Sequence, residues 1–126
     1  MSRELYNRTF GEVLHFLKQM DTIIAARDFK AWKAQCTAGF LAAYSDPMRL
    51  HELSQKPNLK DRRIVLRSLE DYFYFVFIPS RVETKLDKLD FTAKNRVKAV
   101  AVIDDKPYVV YFLEKDENNI WKIGVW

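Results

Sequence analysis

The chain has 126 residues, 48% of them hydrophobic and 14% aromatic, and a formal net charge of +4. That length suits one domain with a real core and leaves little room for a second, so residues 1–126 are read as a single domain. A lone cysteine, Cys36, excludes an internal disulfide and a Cys-rich metal site.

The basic residues are spread over several helical stretches and only Lys60, Arg62 and Arg63 cluster. That is the pattern of a solvated surface, not of the one-sided basic face a nucleic-acid binder presents. No stretch is apolar enough to span a bilayer. Met1-Ser2-Arg3-Glu4 opens without the apolar core of a secretory leader. With the proviso that no leader has been removed, these features place the protein in the cytoplasm.

Phe10, Val13, Leu14, Leu17, Met20 and Ile24 recur at helical spacing and predict a first helix from about Thr9 to Ala26. Thr9 with Glu12 three residues on has the form of a capping box. A second stripe, Phe29, Trp32, Cys36, Phe40 and Ala43, is offset from the first, so a break falls near Arg27-Asp28 with Asp28 as the new cap. Cys36 on that stripe reads as a buried structural thiol. Gly39 weakens the helix and leaves room for another backbone to approach. Ser45-Asp46-Pro47 ends this region and starts a short helix, Met48 to Leu53, because Pro fits a first helical turn. Gln55 to Lys60 reads as a loop. Asp61 is placed to cap a long helix whose stripe is Val65, Leu69, Tyr72, Phe73, Val76 and Phe77, stopped by Pro79.

The period then changes from helix to strand. Val82, Thr84 and Leu86 alternate on one face, and Leu89 and Phe91 continue on the other, a slip that predicts a bulge or kink. Asn95 to Asp104 and Tyr108 to Lys115 are the next strands, separated by Asp104-Asp105-Lys106-Pro107. Asp116 to Asn119 is a hairpin turn, and Ile120 to Trp126 closes the sheet. The whole is α+β: N-terminal helices on a four-stranded antiparallel sheet in sequence order.

Both parities of the central strands are apolar. Tyr108, Val110 and Phe112 alternate with Val109, Tyr111 and Leu113, and Trp126 extends the second face of the last strand. A sheet with one wet face alternates apolar with polar. The second face is therefore expected to meet another copy of the chain, with Tyr108, Val110 and Trp126 in the interface of a homodimer.

The junction Ala25-Ala26-Arg27-Asp28-Phe29, the helix end Tyr44-Ser45-Asp46-Pro47, the run Tyr72-Phe73-Tyr74-Phe75-Val76-Phe77-Ile78-Pro79 and the close on Trp121-Lys122-Ile123 resemble, in that order, the NTF2-like superfamily, the cystatin-like α+β cone. The resemblance covers nearly the whole chain, and its motifs are structural. It implies a strongly curved sheet wrapped around a long helix, a conical pocket, and dimerisation through the outer sheet face. The superfamily holds isomerases, dehydratases, cyclases, transport factors and binding modules, so fold does not choose among them.

An isomerase-type site needs a carboxylate in an apolar pocket and a donor for the developing oxyanion. Tyr44, Tyr72, Tyr74, Tyr108 and Tyr111 are available donors, but the acids sit at strand ends or among other charges. Asp21 comes nearest and reads as a helix-surface acid. His15 and His51 read as helix-flank residues without a consistent metal partner. Gly11, Gly39 and Gly124 are too far apart for a phosphate loop. No catalytic residue, metal or cofactor is assigned. The aromatic residues remain: Trp32, Tyr44, Tyr72, Phe112 and Trp121 are expected to border the space between helix and sheet, with Arg96 anchoring the anionic group of an apolar ligand. The expectation is a non-enzymatic binding module, acting on a protein partner through the sheet or on a small apolar ligand in the cone. The alternative is a small-molecule isomerase or dehydratase using a pocket acid or histidine with tyrosine donors.

Overall fold

The computed structural model describes residues 2–126; Met1, which opens the N-terminal stretch read above, lies outside them. Ser2 accepts a hydrogen bond from the Leu5 amide at 3.1 Å and caps α1 (Arg3–Ala26). The helix thus starts six residues before the expected Thr9. Thr9 itself is buried within it, so it does not serve as a cap. Val13, Phe16, Leu17, Met20 and Ile24 form the buried stripe. Arg27 ends α1 in the left-handed region at φ 53°, its amide bonded back to the Ile23 and Ile24 carbonyls. Asp28 then caps α2 (Phe29–Ala34) through the Ala31 amide, which places the break where the offset between the two stripes puts it.

The second stripe is two helices, not one. Between α2 and α3 (Ala38–Ser45) the backbone at Gln35-Cys36-Thr37 leaves the helix to pair with the last strand. The Thr37 amide donates to the Ile123 carbonyl at 2.9 Å, and the Ile123 amide to the Gln35 carbonyl at 2.8 Å. Thr37 also caps α3. Trp32 and Phe40 still reach the same core across the gap, at 5.9 Å between ring centroids, which is why the apolar spacing conceals it. Gly39 has no backbone near it: the nearest atom to an added Cβ is a side-chain oxygen at 3.9 Å.

Asp46 and Pro47 open α4 (Pro47–Ser54), and α5 (Pro57–Lys60) is a single turn inside the expected loop. The buried Ser54 hydroxyl donates to the Leu50 carbonyl at 2.8 Å and accepts from the Leu66 amide at 2.9 Å, tying residues 61–67 to α4. These residues are not helical. Ser68, not Asp61, caps the next helix, and Val65 is exposed. α6 (Leu69–Tyr72) passes through a π-helical segment (Phe73–Phe77) into α7 (Ile78–Arg81). Pro79 therefore lies inside the helical run it was expected to stop. In a regular α-helix its ring meets the carbonyl four residues back. The wider π turn, with the Ile78 amide bonded to the Phe73 carbonyl, lets Pro79 enter as a first-turn residue of α7.

The sheet is antiparallel with order β1-β2-β3-β4: β1 (Lys88–Ala93), β2 (Arg96–Ile103), β3 (Lys106–Lys115) and β4 (Trp121–Ile123). Residues 82–87, expected to begin the first strand, stay outside it. Asp104 and Asp105, at φ 53° and 64°, make the two-residue turn between β2 and β3, a handedness that matches strand twist. Asp116 Oδ1 accepts from the Asn118 and Ile120 amides and closes the turn before β4. Leu89, Val97, Ala99, Tyr111, Leu113 and Ile123 join the helices in the core.

One irregularity resets the faces. Ala99 pairs with Tyr111, but Val100 pairs with Val109, so Val110 is an extra residue, a β-bulge. The even parity read along Tyr108, Val110 and Phe112 is broken there. Val110 is buried in the core, and Tyr108 lies beyond the bulge at the hairpin end, half-exposed. Trp126 folds back with its ring 5.3 Å from Phe112, after the Gly124 amide bonds the Phe112 carbonyl at 2.7 Å. Tyr108, Val110 and Trp126 thus do not make the single patch expected of them: the bulge separates Val110 from Tyr108, and the returning C-terminus seats Trp126 on Phe112.

Candidate functional site

The helices bring three of the expected ligand residues together. Trp32 is fully buried, with ring centroids of Phe73 at 4.8 Å, Phe77 at 5.2 Å and Tyr72 at 6.3 Å. Tyr44 packs on Phe40 at 4.5 Å and on Tyr72 at 4.4 Å, and the Arg49 guanidinium lies over Tyr44. From the sheet side, Tyr111 meets Phe16 edge-on at 5.5 Å and Phe77 at 6.1 Å. The space between helices and sheet is occupied by these rings.

Of the other three, Trp121 is buried in the same core at its α1 side, and Phe112 and Arg96 lie outside it. Trp121 donates its indole N–H to Glu12 at 2.9 Å and so pins β4 to α1, with Lys115 over its ring. Burial raises the Glu12 pKa, but the hydrogen bonds from Trp121 and Lys115 outweigh it and hold the carboxyl below its usual value. Phe112 sits under Trp126, outside the core cluster. Arg96 pairs with Glu114 at 3.5 Å and lies over Trp126. Arg96 and Phe112 therefore do not border the interior as expected: Val97, Ala99, Tyr111 and Leu113 face the core, so strand alternation puts Arg96 and Phe112 on the outer face, where Trp126 covers them. Asp21, His15 and His51 are exposed.

The interior carries polar atoms that other groups do not satisfy. Trp32 Nε1 and Tyr111 Oη are buried without a hydrogen-bond partner. Burial pushes the Tyr72 and Tyr111 hydroxyls well above the ordinary phenol value. Burial also raises the Cys36 thiol to about 12, against a small opposing effect of Lys122. Its Sγ donates to the Trp32 carbonyl at 3.4 Å. A thiol in this state is inert, as its place on the apolar stripe suggests.

An open concavity lies at the other side of the bulge. Residues 80–85 run past the β2–β3 hairpin and leave a groove of about 400 Å³. Val82, Ile103, Tyr108 and Val109 line it and are 57%, 51%, 50% and 41% exposed, while Ala101 and Val110 are buried beneath. Arg81 stands at its edge: its Nε donates to the Val110 carbonyl at 3.0 Å, and its guanidinium lies over Phe77 at 5.2 Å and Tyr111 at 5.5 Å. Glu83, on the same wall, holds the left-handed conformation at φ 57°. Sequence reasoning missed Arg81, Val82, Ile103 and Val109 as a group. The signal was there only in part, as apolar residues of both parities flanking Asp104-Asp105; the bulge that opens the groove leaves no mark in composition.

Among the described residues, no group of three His, Cys, Asp or Glu could hold a metal, and no helix is long and apolar enough to cross a membrane. No family model matches the chain. No solved structure matches it either. It is similar to a protein of Treponema pallidum (strain Nichols) named "Uncharacterized lipoprotein", with 32% identity over 123 residues, 98% of this chain. The chain spans 64% of that relative's length. This likeness overturns the cytoplasmic expectation, since a relative aligned along nearly the whole chain is named a lipoprotein. The physical reason for the miss is simple. A lipid anchor is a covalent addition to a short segment, so the charge and hydropathy of a folded domain carry no trace of it.

Proposed function

We propose that this chain is a non-enzymatic, NTF2-like binding domain of a lipid-anchored protein, and that it takes apolar ligands at the hairpin-end groove. The observation that carries this reading is the uneven placement of its apolar side chains. Trp32, Phe40, Tyr72, Phe73 and Phe77 fill the interior ring against ring, whereas Val82, Ile103, Tyr108 and Val109 stay exposed around one concavity. Exposed apolar residues gathered at one place mark a contact site more often than residues scattered singly. The groove's volume, about 400 Å³, falls in the range of small-molecule sites, roughly 300–1,000 Å³. The lipid-anchored setting rests on the relative's name, and the superfamily on the Arg27-Asp28 junction and the meander closing on Trp121-Lys122-Ile123.

The test is a titration with N-phenyl-1-naphthylamine, a neutral apolar fluorophore, followed by fluorescence and by amide chemical shifts. Saturable binding with shifts at residues 80–85 and 101–110 is expected. Shifts centred on Trp32 and Tyr72, or no saturable binding, would overturn the reading.

A further inference from the structure

We infer that Arg81 is the head-group receptor of the hairpin-end groove, and that the groove takes a fatty acid: carboxylate on Arg81, chain along Val82, Ile103, Tyr108 and Val109. This rests on the groove being a ligand site. A guanidinium has five N–H groups and is always charged. Nε is spent on the Val110 carbonyl and one Nη1 hydrogen on the Ser80 hydroxyl. The other three have no acceptor among the described residues. Arg81 also has no carboxylate within ion-pair distance there.

The neighbouring charges sharpen the point. Glu83 lines the same groove, and Asp21 and Glu83 share with Arg81 the adjoining concavity beside α1, yet neither acid closes on it. Lys85, the second cation of the groove, is already paired with Asp87 at 3.2 Å. Arg81 is therefore the one half-buried cation in the groove that lacks an ion-pair partner among the described residues. It is also held rigidly, by the bulge carbonyl beside it and by Phe77 and Tyr111 beneath. A partly desolvated charge gains from a partner anion, and a fixed planar fork suits the two oxygens of a carboxylate. The apolar wall next to it suits an unbranched chain. The bulge links the two halves: the extra residue that aims a carbonyl at Arg81 also leaves Tyr108 and Val109 exposed at the groove.

The experiment titrates the wild-type protein with decanoate, decanol and decyltrimethylammonium, by calorimetry and by amide shifts, below the micellar range of each. Decanoate is expected to bind at one site, at least tenfold tighter than decanol, with the trimethylammonium weakest. Arg81→Gln is expected to erase the tenfold preference and leave decanol binding within twofold. Ile103→Asp, on an exposed wall where folding is not at stake, is expected to weaken all three at least tenfold. Equal binding of decanoate and decanol by the wild type overturns the role of Arg81 while leaving the groove as an apolar site. Absence of binding by all three, with the groove protected by self-association or free, overturns the proposed function as well. A preference that survives Arg81→Gln overturns the inference outright.

Discussion

Tyr111 and Val109 stand two residues apart on β3 and belong to different environments. Tyr111 is 2% exposed between Phe16 and Phe77; Val109 is 41% exposed at the edge of a groove. Val110 separates them, and its insertion opposite β2 is what sends the strand's two ends to different duties. Before the bulge Tyr108 and Val109 rim an open concavity, and after it Tyr111 and Leu113 close a core. Hydrophobicity is the same on both sides. Register decides which part is packed and which part is offered to a ligand.

The largest effect that would break this comparison is loss of packing at Trp32. Trp32→Ala removes the ring against which Phe73 and Phe77 pack, and a cost of about 3–5 kcal/mol is expected. Tyr108→Ala, at the half-exposed end, is expected to stay within about 0.5 kcal/mol. Urea unfolding of the two variants measures both. A cost at Trp32 below about 1 kcal/mol would show that the interior is not packed as tightly as the ring distances indicate.

A smaller effect, of opposite sign, is expected at the hydroxyl of Tyr111. It is buried without a partner, so Tyr111→Phe removes an unsatisfied polar group and keeps the ring. Stability equal to the wild type or higher by up to about 1 kcal/mol follows. The same environment sets the alkaline limb. Cys36, Tyr72 and Tyr111 all have pKa values raised by burial, so they hold protons in the folded state that the unfolded chain releases. The unfolded state then binds fewer protons, and stability falls as pH rises. For Cys36 the stabilisation is complete below about 9.0 and is lost on the way to about 12. The unfolding midpoint should drop across this window, and less steeply in Tyr111→Phe. A flat profile from pH 8 to 11 would mean that these groups are not buried in solution.

How far the sequence could be read follows from the same contrast. Period carries element type well: the break at Arg27-Asp28 and the four strands in order stand in the structure, as does the α1 stripe apart from the exposed Leu14, and the turn read over Asp104–Pro107 tightens to Asp104-Asp105 with Lys106 and Pro107 in β3. The ends are read less well, because caps compete. Ser2 and Thr9 are both plausible caps, and so are Asp61 and Ser68; tertiary contacts choose between them, as the Leu66 bond to Ser54 does for residues 61–67. The pairing of Thr37 with Ile123 arises from a contact distant in sequence, which no local pattern encodes, and the π turn that admits Pro79 keeps the same apolar run as an α-helix and leaves no separate mark in it. Of the six expected ligand residues, Trp32, Tyr44 and Tyr72 are together because the apolar stripes of α2, α3 and α6 converge on one core. Trp121 reaches the core at its α1 side, while Arg96 and Phe112 alternate with core residues and fall on the outer face, which an apolar count over both parities of a strand does not separate.

The smallest expected effect lies on the outer face, which offers a third setting for the same residue types. Arg96 and Glu114 are opposite on β2 and β3 at 3.5 Å, with side chains 50% and 28% exposed, and Arg96 also covers Trp126. An exposed pair of this kind contributes at most about 1 kcal/mol, and salt screens it. Glu114→Gln should therefore shift the unfolding free energy by less than about 0.5 kcal/mol, and by less still in high salt. Trp126→Ala should cost more than Glu114→Gln, because it uncovers Phe112 as well as the stem of Arg96. A reversed order would place the hold of the C-terminus in the charges and not in the ring. The outer face would then be polar in energy as well as in composition, unlike either the packed interior or the groove.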